Sequence, residues 1–456
     1  MSDRIDIPDP FIDQLLSRSP IAGFSESEVY FNGQESVQIQ VHERKIVSFE
    51  SSSTSGLSFR GRSAQQMGYS FTEVFDEGAE SFLLEKAREN SDVLETKEPE
   101  TLFEGEKEYP ATDNFSPELD KKDFDYFSKT ALALEDAILK YDPRIVAVDD
   151  LFLSYSIGAQ AIRNTLGLNC DSTHNILSVF ASSRCVAEGQ TKTGFCVWIG
   201  RDADTIDIAA LAKESAEDSL SKLGAAPVRS GKYSVVLDAR AAADLLTAFS
   251  GIFSAEAVQK GFSLLAGKIG DKIASECVDI RDDGSHPASF LSFSFDSEGV
   301  ATRNKQLIEK GTLLSYLHNR KTAATDGVAS TGNGFRSGYK GSIDIAPTNL
   351  YFAPGKSSQD SLLKEMNNGL FIKYLIGLHA GANEISGDFS LSCEGFLVVD
   401  GRKDRPVDQI TVSGNFFKLL QSVVAVADDL YFNPSEGAGI IGSPSLLIEG
   451  LTISGE

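Results

Sequence analysis

Between residues 92 and 118 the chain carries nine Asp or Glu and two Lys, and Pro99, Pro110 and Pro117 interrupt any helix or strand. Such a stretch buries too little apolar area to offset the entropy of ordering it, which predicts a solvated acidic connection between folded modules. It is the strongest constraint on the fold, because it divides a 456-residue chain, long enough for about three domains, near its first fifth.

The segment before it reads as a small α+β module. Phe11, Ile12, Leu15 and Leu16 share one helical face. From Glu28 to Thr72 short β-like runs follow; Val37, Ile39 and Val41 alternate with Gln38, Gln40 and His42 in the period-2 pattern of a half-buried strand. Further strands are expected at Ile46 to Phe49, Leu57 to Arg60 and Met67 to Phe71, then an amphipathic helix over Glu77 to Asn90.

Beyond the acidic stretch a second module opens with a helix near Asp120 to Lys140, in which Phe124, Phe127, Ala131, Leu134 and Ile138 recur at three- and four-residue spacing. Strand-like runs at 145–155, 168–180 and 194–199 precede a helix over Ile208 to Leu223, with Gly224 as its terminator. The third module runs to the end and is rich in Gly-marked turns. It is expected to contain a helix from Ala241 to about Ala257, a hairpin at Leu307 to Leu314 and a final strand at Leu446 to Ile453. The fold class is therefore α+β, organised as an N-terminal α+β domain (1–95), an acidic linker (96–118), a middle α+β domain (119–227) and a C-terminal β-rich domain (228–456) with antiparallel sheet and helices.

Composition narrows the function. With 66 acidic and 42 basic residues the net charge is −24, which argues against nucleic acid or an anionic membrane as a partner, since phosphate contacts need clustered Lys and Arg. No apolar run approaches the length of a membrane span, and the opening residues lack the basic start and apolar core of a signal peptide. Five cysteines without a C-x-x-C pair suit reduced thiols, so a cytoplasmic location is expected. Each is read as a small buried hydrophobe, Cys393 beside Glu394 included.

Hydrolytic signatures are missing from the sequence. The histidines at 42, 174, 286, 318 and 379 form no H-E-x-x-H pair, and neither a G-x-S-x-G elbow nor a P-loop occurs. His42 falls on the solvent face of its strand. Two stretches stand out instead. Asn319 to Arg336 is long, polar and Gly-containing, the profile of a functional or disordered loop. Gly377 to Ser390 is Gly-rich enough for a peptide main chain to approach closely.

These stretches carry a resemblance. Ser330-Thr-Gly-Asn-Gly-Phe-Arg336 followed by Pro347-Thr-Asn-Leu-Tyr-Phe-Ala-Pro-Gly355 resembles the S-T-G-N-x-x-R … P-x-N-x-x-x-x-P-G block of TldD/PmbA proteins. Glu384-Ile-Ser-Gly-Asp-Phe-Ser390, Gly395-Phe-Leu and Gly401 resemble their I-S-G-D-[FY]-S … G-F … G signature. Gly56 to Arg60, Gly68 to Thr72 and Pro444 to Thr452 also fit, so the resemblance spans nearly the whole chain.

The resemblance implies a cytosolic family, once described as modulators of DNA gyrase and now understood as metalloprotease subunits. One subunit type, TldD, holds its metal with H-E-x-x-x-H on a helix and a later Cys; the other, PmbA or TldE, lacks them and pairs with TldD around a chamber. The corresponding helix here, Ala241 to Ala257, has no His, and Pro434 to Gly442 has no Cys. The resemblance is thus to the PmbA/TldE type. It implies no catalytic or metal-binding residue and no cofactor in this chain, with the metal supplied by a TldD-type partner. An extended peptide would be the substrate, and Asn333 and Arg336 the side chains that meet it, Arg336 as a carboxylate or carbonyl donor. Two readings stay beside this one: a free-standing family peptidase with an unrecognised site, and a homodimeric peptide-binding or scaffold protein.

Overall fold

The computed structural model describes residues 5–64, 66–94, 101–433 and 439–456. One antiparallel sheet of six contains its four longest strands, β1 (Ser27–His42), β2 (Lys45–Ser63), β4 (Ile145–Asn164) and β5 (Asn169–Ala187), with the shorter β3 (Gln66–Thr72) and β6 (Gln190–Gly200). Their order is β3-β2-β1-β4-β5-β6. β1 pairs with β2 on one side and with β4 on the other, from Glu28 opposite Asn164 to Gln40 opposite Phe152. Segments 1–95 and 119–227, expected as separate domains, thus contribute halves of a single sheet. The odd residues of β1 explain it. Val29 and Phe31 enter one core with the helices Asp9–Arg18 and Glu77–Val93, while Ile39 and Val41 enter a second with the helices Phe124–Tyr141 and Ile208–Ser221. One face of one strand therefore serves both cores.

The helices begin where polar caps allow. Asp76, Asp123 and Asp207 each accept a hydrogen bond from the backbone N–H three residues on. The separate strands expected at 46–49 and 57–60 are one strand, β2, whose serine-rich middle, 50–54, is exposed and carries no apolar alternation. His42 is exposed, as its place in the alternation requires.

The acidic stretch is not simply a solvated linker. Residues 95–100 lie outside the described part, but 101–118 dock on the C-terminal half. Leu102 and Asn114 are buried. Asn114 exchanges two hydrogen bonds with the backbone of Ser292, at 2.6 and 2.8 Å, and Tyr109 Oη donates to the Gly299 carbonyl at 2.8 Å. A few hydrogen-bonding side chains anchor a segment whose average composition is that of a solvated chain.

The C-terminal half holds two further six-stranded sheets. One runs Thr312–Leu313, Asn304–Glu309, Ile280–Asp283, Asn349–Phe352, Ile440–Ser443, Tyr431–Asn433. The other runs Arg402–Asn415, Asp388–Val399, Gly369–Ile376, Gly231–Leu237, Leu446–Ser454, Val423–Val426, and pairing of Arg402–Asn415 with Leu446–Ser454 closes it on itself. Pairings are antiparallel except for two parallel ones, Gly369–Ile376 with Gly231–Leu237 and Asn349–Phe352 with Ile440–Ser443. The expected hairpin is present, its turn made by Lys310 and Gly311 at positive φ.

The helix expected over 241–257 is three pieces. Ala239–Ala248 is α-helical, Ser250–Phe253 is a single 3₁₀ turn, and Ala255–Gln259 restarts under a Ser254 cap. Ser250-Gly251 is poor helix material, and the Ser254 hydroxyl favours a new N-terminus over continuation. Leu245, Leu246, Phe249, Ile252 and Phe253 nevertheless all face the large core shared by the two C-terminal sheets. Among the described residues no helix is long and apolar enough to cross a membrane.

Candidate functional site

The Ser330–Arg336 segment is neither long nor loose. Asn319 caps a helix, Arg320–Asp326, that ends at a left-handed Gly327, and Gly334–Arg336 forms a short strand against Ile343–Ile345. Asn333 was expected to face substrate. It is wholly buried, and its amide is spent inside the chain. Nδ2 donates to Asp282 Oδ2 at 2.8 Å and to the Ala346 carbonyl at 2.9 Å; Oδ1 accepts from Thr331 Oγ1 at 2.7 Å and Lys305 Nζ at 3.1 Å. Asp282, also fully buried, accepts from the Thr348 N–H and hydroxyl through its other oxygen and pairs with Lys305 at 2.8 Å. The polar residues that suggested a binding loop are those a buried carboxylate needs for satisfaction.

A second buried carboxylate sits behind the same segment. Asp296 accepts the backbone N–H groups of Glu298, Val300 and Gly334, the last at 2.8 Å. Burial, reinforced by the neighbouring Glu298 charge, pushes its carboxyl up to about 8. Glu298 is also raised by burial, and it accepts the Arg320 N–H at 2.7 Å. Gly332, at φ +71°, passes so close to the Ala301 carbonyl that a Cβ would lie 2.6 Å from its oxygen. Asp282, Asp296 and Lys305 gave no sequence signal, because each is a single polar residue in an ordinary context.

Arg336, three residues on, has a different setting. Its guanidinium lies over the Tyr30 ring at 5.1 Å, and Nη1 is 3.4 Å from Ser58 Oγ. Nε is shut off from solvent without a hydrogen-bond partner. The side chain borders an open groove of about 760 Å³ between β3, the Glu77–Val93 helix and residues 336–341. The structure thus separates the two predicted residues, Asn333 into the interior and Arg336 onto a groove.

A second opening, of about 340 Å³, lies beside the Ala239–Ala248 helix, where the resemblance located the metal ligands of other family members. Thr247, Ser250, Gly251, Ser254, Leu317 and Glu384 line it. Glu384 belongs to the Gly-rich stretch; its carboxylate accepts the N–H groups of Gly251 and Ile252, while burial raises it. Two glycines of that stretch serve internal packing: a Cβ on Gly381 would lie 2.4 Å from the Ser390 carbonyl oxygen, and one on Gly387 2.6 Å from the Phe417 ring. Of the stretch 434–442, residues 434–438 lie outside the described part, whereas Gly439 and Ile441 reach the cavity wall.

The helix itself presents Arg240, Asp244 and Thr247. Arg240 pairs with Glu214 at 2.5 Å and lies over Tyr431; Asp244 accepts from Asn433 and is pushed up to about 6 by burial. Among the described residues no group of three or more His, Cys, Asp and Glu could hold a metal ion. The residues here do not fit the metal that the family's peptidases use, since none of them is an imidazole or thiolate. Cys393 is a buried thiol pushed up to about 12 by desolvation, consistent with a packing role.

Comparison with known proteins agrees with this architecture. The sequence profile of the PmbA/TldA metallopeptidase C-terminal domain matches residues 230–455, and that of the PmbA/TldA metallopeptidase central domain matches 117–223. A crystal structure of a candidate modulator of a DNA gyrase from Thermotoga maritima superimposes with a TM-score of 0.90 at 31% identity, covering 98% of this chain and 100% of that one. TldE from Thermococcus kodakarensis shares the fold at a TM-score of 0.89 and 22% identity, over 98% of this chain and 100% of its own. A metalloprotease TldD homolog from Buchnera aphidicola is 31% identical over 291 residues, 59% of this chain and 58% of that protein. The profiles, the full-length structural match and the shared motifs place this chain in the PmbA/TldD metallopeptidase family.

Proposed function

We propose that this chain is the metal-free, PmbA/TldE-type subunit of a cytoplasmic TldD/TldE-type metallopeptidase acting on unfolded or extended peptides. One observation carries the reading. The helix that borders the 340 Å³ cavity carries no imidazole or thiol: it lines the cavity with Thr247 and Ala248, while its Arg240 and Asp244 are held by Glu214 and Asn433. A water-activating metal needs three protein ligands and an open position, and this helix supplies neither the ligands nor a general base beside them. The metal and its base would come from a TldD-type partner, and this chain would shape the chamber and hold substrate.

The test is to purify this chain and a matching TldD-type protein, then assay unfolded peptide cleavage separately and mixed. The expected result is weak or absent cleavage by this chain alone, no stoichiometric zinc on it at neutral pH, and chelator-sensitive activity in the mixture. Full-speed hydrolysis by this chain without a partner, or one tightly held zinc per chain, overturns the assignment.

A further inference from the structure

The 340 Å³ cavity beside the Ala239–Ala248 helix has a one-sided chemistry. Its polar lining comes from Thr247, Ser250, Ser254 and Glu384, and among the described residues no Lys, Arg or His reaches it. The hydroxyl protons are largely committed to the backbone. Thr247 Oγ1 donates to the Ala243 carbonyl at 2.9 Å, and Ser250 Oγ donates to the Thr247 carbonyl at 3.0 Å. Each of these oxygens therefore has only lone pairs left to offer. Ser254 accepts the Ala257 N–H at 3.5 Å and keeps its own proton.

Glu384 is an acceptor too. Its carboxylate takes the N–H groups of Gly251 and Ile252, which fills two of a carboxylate's roughly four acceptor positions. No cation among the described residues pairs with it. The placement depends on a glycine, since a Cβ on Gly251 would lie 2.2 Å from Glu384 Oε1. Leu317, Ile345, Pro347 and Ile441 make the rest of the lining apolar. At about 340 Å³ the cavity is within the size range of small-ligand sites.

A pocket of acceptors with one carboxylate and an apolar remainder is complementary to a ligand with several N–H donors, a positive charge and an apolar body. A primary ammonium has three donors and no acceptor, and the net charge of −24 favours its approach. An anion would meet Glu384 with no cation to offset it. We propose that this cavity binds a primary ammonium ion on an apolar stem, with the –NH₃⁺ on Glu384, Thr247 and Ser250 and the stem against Leu317 and Ile441. The inference goes beyond the proposed function, because it needs neither a partner subunit nor proteolysis.

The experiment titrates the full chain by calorimetry with hexylamine, a cation at neutral pH, and with hexan-1-ol and hexanoate, which keep the stem but carry no charge or the opposite one. Hexylamine should bind once per chain and about tenfold or more tighter than hexanol, the range for one charge-assisted contact, with hexanoate weaker than either. Glu384→Gln keeps the shape of the side chain and removes its charge. It should bring hexylamine down to the level of hexanol and leave hexanol unchanged. Thr247→Val removes one acceptor at nearly constant volume and should weaken hexylamine several-fold; it carries the test if Glu384→Gln does not fold. A peptide's amino terminus is the same ion beside an amide carbonyl, so leucinamide separates the two sources. Weaker binding than hexylamine assigns the cavity to free amines, equal or tighter binding assigns it to chain termini, and either supports ammonium recognition. Equal binding of hexylamine and hexanol to the unaltered chain overturns the proposal. So does an ammonium preference that survives both substitutions, because it would then come from the overall charge of the chain and not from this cavity.

Discussion

Asn333 and Arg336 lie three residues apart in one motif, yet the structure treats their surroundings in opposite ways. The Asn333 amide finds all its partners inside the chain: Asp282 and Lys305 pair, Thr348 and Thr331 fill the remaining positions, and Asn333, Asp282 and Thr348 are wholly buried. Around Arg336 a charge is left with a ring face and one long contact to Ser58. A satisfied buried network fixes the fold, whereas an unsatisfied charge beside a groove is available to a ligand. One motif can therefore carry both duties.

The largest expected effect tests the buried side. Asp282→Ala removes the carboxylate that holds Lys305 Nζ and Asn333 Nδ2, leaving a largely buried cation without its counter-charge and one N–H of the Asn333 amide without an acceptor. Breaking such a pair costs about 3–5 kcal/mol. Urea unfolding should show a midpoint shift of that size with the slope unchanged; a loss under about 1 kcal/mol would mean the network is not what holds the segment. Asn333→Ala keeps the ion pair but strips two donors and an acceptor. It should cost about 1–3 kcal/mol, the range for orphaned buried polar groups.

A pH series sharpens the same side. Asp296 is held at about 8, well above the ordinary carboxylate near 4, by burial and by Glu298. A folded value above the unfolded one favours the protonated form in the native state. The contribution is therefore full below about pH 4 and is lost as pH rises toward about 8. Asp296→Asn should flatten the fall in stability between those limits. Identical pH profiles for the variant and the parent would show that Asp296 titrates normally.

How much of this was readable in the sequence depended on the kind of information each element carries. Helices announced by periodicity, such as Phe124–Tyr141, lie close to where the spacing set them. β1 was half legible. Val37, Ile39 and Val41 gave its phase, but where short runs were expected one strand continues from Ser27 to His42. The union of the first and middle segments in one sheet left no local trace, because strand pairing between Glu28 and Asn164 is a property of two distant stretches. The family motifs were legible as letters. That their Asn turns inward to meet Asp282 and their Arg outward to a groove was not, since both follow from what the rest of the chain brings beside them.

The smallest expected effect is the most discriminating. Arg336→Gln removes a cation that has no ion pair among the described residues, so the losses are a contact over Tyr30, worth about 0.5–1 kcal/mol, a 3.4 Å approach to Ser58 and the longer-range attraction of Glu28. Against them stands relief from burying the charge, since desolvation and the nearby Arg60 already pull the guanidinium below its usual range. The two contributions oppose each other, and the net change in unfolding free energy should stay within about 1 kcal/mol of zero. Thermal and urea unfolding of Arg336→Gln beside Asp282→Ala measures the contrast directly. If the two variants lost comparable stability, Arg336 would belong to the structural network with Asn333, and the division between a fold-fixing half and a ligand-facing half of the motif would fail.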